Sequence, residues 1–64
     1  MKAQDIRQMT TAEIESNLVE YENTLVTLRY NHFVQPVENP SRMRKLRQDI
    51  ARMHTILRER ELQG

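Results

Sequence analysis

Two stripes of apolar residues, one on each side of a proline-bounded break, constrain this chain more than any other feature. Ile14, Leu18, Tyr21, Leu25 and Leu28 recur at alternating spacings of four and three, and His32 continues the series. Met43, Leu46, Ile50, Met53 and Leu57 repeat the alternation further along. Such spacing draws one apolar line along an α-helix, whereas a strand would alternate at every second residue. Thr10-Thr11-Ala12-Glu13 fits a capping box before the first stripe, with a Thr hydroxyl covering a free N–H and Glu13 reaching back to the cap. After the first stripe, Pro36 disfavours helical geometry at Gln35 and cannot donate a backbone hydrogen bond. Asn39-Pro40 then restarts a helix as N-cap and first helical residue.

These signals predict one long helix over 11–34, a connection over 35–39 and a second long helix over 40–62, with Gly64 as a frayed end. Two helices of similar length joined by so short a connection are antiparallel neighbours. Residues 1–9, which contain Ile6 and Met9, read as a short helical turn or arm. The expected fold is all-α, an antiparallel two-helix hairpin of coiled-coil type with a short N-terminal helical arm, forming a single domain over 1–64.

A chain of 64 residues has a marginal core of its own. Small scaffolds compensate with disulfides, a metal or a partner. There is no Cys, and the two imidazoles, His32 and His54, are not spaced as a helical ligand pair. A permanent partner is therefore expected, with no cofactor and no metal. No apolar run approaches the roughly 18 residues of a membrane span, and no apolar segment follows Met1-Lys2-Ala3-Gln4-Asp5 as a secretory signal would require. The expected compartment is the cytoplasm or an organelle matrix, with no membrane partner.

Val19, Val26 and Phe33 recur every seven residues, with Tyr30 nearby, on a face about 120° from the first stripe. A lone hairpin cannot bury both faces of one helix. Val19, Val26, Tyr30 and Phe33 are either scattered exposed residues or a docking surface for another macromolecule, in the first instance a protein. A free coiled coil oligomerising through this stripe is the competing interaction-protein reading.

Catalysis is not expected. Glu13, Glu15, Glu20, Glu22 and Glu38 lie in or just after the first long helix. Carboxylates do acid–base work only in a cleft that perturbs them, and a two-helix hairpin has none. Both histidines fall on or beside the seams, where a packed or rim imidazole is the simpler reading. Enclosing a substrate would require a third helix, and residues 1–9 are too few to supply one of useful length. No small-molecule substrate is expected.

The charge pattern is more informative. Residues 1–38 hold three basic and six acidic residues, and residues 39–64 hold seven basic and three acidic. Six of the seven bases in the second part are Arg, whose planar fork suits phosphate oxygens. At about 100° per residue, Arg44, Arg47 and Arg58 share one arc flanking the second seam, with Ala51 and Thr55 between them. Small residues among arginines allow close approach to a phosphate backbone. Lys45 and Arg52 lie on another arc, and Arg42 and Arg60 border the seam. Charge around most of the helix suits burial in folded RNA. The second helix has no aromatic residue for base stacking, so shape and phosphate recognition is the expected mode.

The run from Glu38 to Glu61 closely resembles the signature of bacterial-type large-subunit ribosomal protein twenty-nine. Its most specific part is Leu46-Arg47-Gln48-Asp49-Ile50-Ala51-Arg52 with Thr55 and Leu57-Arg58-Glu59. Asp5-Ile6-Arg7-Gln8-Met9-Thr10 resembles the family's N-terminal segment, and Leu28-Arg29-Tyr30-Asn31 its Leu-Arg-aromatic-Gln element. The resemblance implies a helical hairpin bound to large-subunit ribosomal RNA beside the polypeptide exit tunnel. It also implies a neighbouring ribosomal protein twenty-three, at a surface where the signal recognition particle and a ribosome-associated chaperone dock. Transferred residue by residue, the RNA role falls to Arg7, Arg29, Arg44, Arg47, Arg52 and Arg58.

Overall fold

The computed structural model describes residues 1–35 and 40–63. The Asn39 cap, the break from Pro36 and the fate of Gly64 lie outside the described residues. Three helices follow one another: α1 (Ala3–Arg7), α2 (Thr11–Val34) and α3 (Pro40–Gln63). The all-α expectation, with a short N-terminal helix before two long ones, is met. The molecule is a rod with extents of 44 × 17 × 16 Å.

α2 starts where its cap directs it. Thr10 is extended at φ −70° and ψ 158°, and its Oγ1 accepts from the Glu13 N–H at 3.1 Å. The Thr10 hydroxyl in turn donates to Glu13 Oε1 at 3.1 Å, so the reciprocal bond runs to the side chain and not to the cap's own backbone N–H. Each long helix has 24 residues, about 36 Å at the usual rise. They run antiparallel: the Arg60 side chain meets Thr11, the His54 ring meets Glu22, and Arg42 shares a groove with Leu28.

The core is not spread evenly along the hairpin seam. Its buried side chains are Ile6, Ile14, Met53 and Ile56, with Met1, Ala3, Met9, Leu18, Tyr21 and Leu57 packed around them. All lie towards the end of the rod away from the interhelical connection. Nearer that connection, Leu25, Leu28, Met43, Leu46 and Ile50 are only half-buried. The cause is α1. A helix of five residues has no stability of its own. It persists here because Ile6, with no exposed surface, packs on α3 beside Met53 and Ile56. The sequence pattern predicts only an arm over residues 1–9 and a seam without Ile56. The structure makes α1 the third wall of the core and gives Ile56 its cover.

Polar contacts hold α1 at both ends. The Met1 α-amine lies 3.2 Å from Asp49 Oδ1, and Arg52 Nη1 donates to the Met1 carbonyl at 2.6 Å. Asp49 is 5% exposed, so its charge needs these partners to be tolerated. At the other end, Arg60 donates to the carbonyls of Arg7 at 3.1 Å and Met9 at 2.8 Å, and to Thr11 Oγ1 at 3.1 Å. One guanidinium thus satisfies carbonyls freed at the end of α1 and ties them to the start of α2. Among the described residues no buried side-chain polar atom lacks a partner.

Candidate nucleic-acid interface

The six arginines singled out from the sequence divide into two groups. Arg44, Arg47 and Arg58 are exposed on α3, and Arg29 is exposed on α2. None of the four makes an ion pair or side-chain hydrogen bond within the described residues. Arg7 and Arg52 are engaged with the protein itself. Arg7 Nη2 sits 3.8 Å from Glu59 Oε2, and Arg52 holds Met1 while lying 4.0 Å from Asp49. Both remain about half-exposed or more, so these are surface-type contacts of modest strength.

α3 arranges the unpaired bases by its own geometry. Its seam residues face α2, which turns Arg44, Arg47 and Arg58 to one flank, with Ala51 exposed among them. Thr55 Oγ1 donates to the Ala51 carbonyl at 2.9 Å, so the hydroxyl is spent within the helix. Ala51 and Thr55 also border α1: with Ala3, Arg7, Arg52, Ile56 and Glu59 they line an open groove of about 180 Å³. The small residues therefore leave room for α1, a role that helical spacing within α3 does not show. His54 Nε2 and Glu22 Oε1, 3.1 Å apart and both exposed, bridge α3 to α2 on the rim, in keeping with the expected rim imidazole.

Folding the chain back on itself rearranges its charge. By sequence the two halves differ in sign, but in the rod the contrast runs along the long axis. Residues 23–48, the end nearer the connection, carry Arg29, Arg42, Arg44, Lys45 and Arg47 against a single acid, Glu38, which lies outside the described residues. Residues 1–22 and 49–64 carry five bases against eight acids: Asp5, Glu13, Glu15, Glu20, Glu22, Asp49, Glu59 and Glu61. One end of the rod is basic and the other acidic.

The apolar face of α2 is open. Val19, Val26, Tyr30 and Phe33 are 60%, 64%, 68% and 89% exposed, and Val34 beside them is 64% exposed. A further open groove of about 340 Å³ is lined by Glu20, Asn23, Thr24, Thr27, Leu28 and Arg42. Among the described residues no three His, Cys, Asp or Glu side chains gather as a metal site, and no helix is long and apolar enough to cross a membrane.

Residues 4–60 match the family model described as ribosomal L29 protein. The chain belongs to the ribosomal L29 family. It is 50% identical over 62 residues to the large ribosomal subunit protein uL29 of Natranaerobius thermophilus, covering 97% of this chain and 95% of the relative. The uL29 of Geobacillus stearothermophilus is also 50% identical over 62 residues, covering 97% and 94%. That of Acetivibrio thermocellus is 45% identical over 64 residues, covering 100% and 96%. The L29 family is made of structural components and not enzymes, in line with the absence of catalysis expected from the sequence.

Helical spacing alone gives no structural role to three residues that matter here. Asp49, Ile56 and Arg60 all lie on the side of α3 that receives α1. The signal available was an apolar Ile56 outside the seam, seven residues from Asp49, together with an apolar pair, Ile6 and Met9, in an otherwise polar arm.

Proposed function

We propose that this L29 chain is a structural constituent of the large ribosomal subunit that binds ribosomal RNA mainly through Arg29, Arg44, Arg47 and Arg58. The observation that carries the reading is that these four guanidinium groups are exposed and unneutralised within the described residues. Four unpaired charges on one small rod favour binding to a polyanion, because each phosphate contact releases counterions. Arg7 and Arg52 join as secondary contacts, Arg7 drawn partly to Glu59 of α3 and Arg52 to the Met1 carbonyl ahead of α1.

The finer placement follows the family resemblance. The protein sits beside the polypeptide exit tunnel on the cytoplasmic ribosome, next to ribosomal protein twenty-three, where the signal recognition particle and a ribosome-associated chaperone dock. The open stripe of α2 supports a protein neighbour in its middle part. Val19 and Val26 lie within one turn of Glu15 and Glu22, carboxylates that would repel RNA but not a protein.

Large subunits lacking this protein, mixed with the purified chain and sedimented, test the RNA claim. Arg47→Glu together with Arg58→Glu is expected to leave the chain in the supernatant while its helical content is unchanged. Normal co-sedimentation of the double variant would refute the assignment.

A further inference from the structure

Tyr30 and Phe33 are the least explained side chains of the molecule. Both are large rings on the last turns of α2, 68% and 89% exposed, and no described residue buries them. Being three residues apart on one helix, their Cβ atoms lie about 5–6 Å from each other. One partner would therefore meet both rings.

Their electrostatic setting separates them from the rest of the stripe. Val19 and Val26, further down α2, are flanked by Glu15 and Glu22. Tyr30 and Phe33 stand at the basic end of the rod. Arg29 is four residues from Phe33 and shares its side of the helix. Across the hairpin, the first turns of α3 carry exposed Arg42, Arg44, Lys45 and Arg47; Arg42 borders a groove with Thr27 and Leu28 on the other flank of α2. Within residues 23–48 no described residue is acidic. An apolar surface with Arg29 on its own side of the helix, at an end of the rod free of described carboxylates, is complementary to a nucleotide, which has an apolar face and an anionic backbone. A protein surface would have to supply several carboxylates to match it.

We propose that Tyr30 and Phe33 form a stacking platform for unpaired bases of RNA, with Arg29 and the first turns of α3 holding the flanking phosphates. The ligand is a single-stranded loop or bulge. In an A-form duplex the bases are stacked on one another and offer no free face, whereas splayed bases stack readily on aromatic side chains. Stacking of this kind tolerates any base, since each has a π-face. The inference rests on the RNA-binding reading and adds to it a mode of contact that the arginine arc of α3 cannot supply, because α3 has no aromatic residue.

The chain contains no Trp, so Phe33→Trp introduces a single fluorescent reporter at the platform. The full-length variant is titrated with protein-free large-subunit RNA, and binding is measured independently by filter retention. Quenching of the indole in step with binding is expected, as the ring stacks on a base. The variant Tyr30→Leu with Phe33→Leu keeps the surface apolar and should bind roughly tenfold or more weakly. Its salt dependence should be unchanged, since no charge is removed. Binding with unaltered emission, together with wild-type affinity of the leucine variant, would overturn the platform while leaving the arginine contacts standing. Emission that brightens and shifts to the blue only when other ribosomal proteins are added would overturn it in favour of a protein occupant. If no form of the chain binds the RNA, the parent reading falls with it.

Discussion

Two charged side chains have roles that their residue type does not announce. Arg60 looks like one more base on a basic helix, yet it makes three hydrogen bonds that lock the corner between α1 and α2. Arg60→Met keeps the aliphatic stem and removes those bonds. We expect faster amide hydrogen exchange across α1 and the first turn of α2, with the middle of α3 unaffected and RNA affinity lowered only slightly. Asp49 is the counterpart at the other end of α1. Asp49→Asn keeps its volume but removes the charge that meets the Met1 amine and Arg52. Hydrogen bonds to charged groups are worth roughly 1.5–3 kcal/mol, so thermal unfolding should shift down by an amount in that range. An unchanged melt would show that Asp49 is buried without supporting the fold.

Among the elements, the two long helices were legible in the sequence because their signals are local. The four-and-three spacing and the Thr10 cap each act within a few residues, and the structure shows helices there. Thr10→Ala should cost about 0.5–2 kcal/mol, seen as a lower melting midpoint. The role of α1 was not legible. Five residues carry too little periodicity to reveal which surface they meet, and that surface joins Met53 of the main stripe to Asp49 and Ile56 beside it. Long-range packing of a short element leaves almost no local trace. Ile6→Ala tests the consequence: it empties a fully buried site and should cost about 2–5 kcal/mol in a denaturant melt. Leu25→Ala, at the half-buried seam, should cost clearly less. Equal losses would mean that the core is spread along the hairpin after all.

At the scale of the whole molecule, the hairpin converts a difference between sequence halves into a difference between the ends of a rod. The basic candidates were legible as residue types, since Arg-rich composition and the arc on α3 need only the helical period. Which of them are unneutralised was not, because that depends on how the N-terminal segment docks: Arg7 of α1 meets Glu59, Arg52 holds Met1, and Arg29, Arg44, Arg47 and Arg58 are left exposed. The four-residue core at one end also means that the basic end is the less tightly packed part, and that binding there can add stability by mass action. The most direct test of the central claim is the salt dependence of binding to protein-free large-subunit RNA. The wild-type chain is compared with the triple variant Arg44→Gln, Arg47→Gln and Arg58→Gln. Each lost phosphate contact should reduce the steepness of log K against log salt by about 0.7–0.9, giving a combined reduction of roughly 2–3 with weaker binding at every salt concentration. A triple variant that binds as tightly as wild type, with the same slope, would contradict the account.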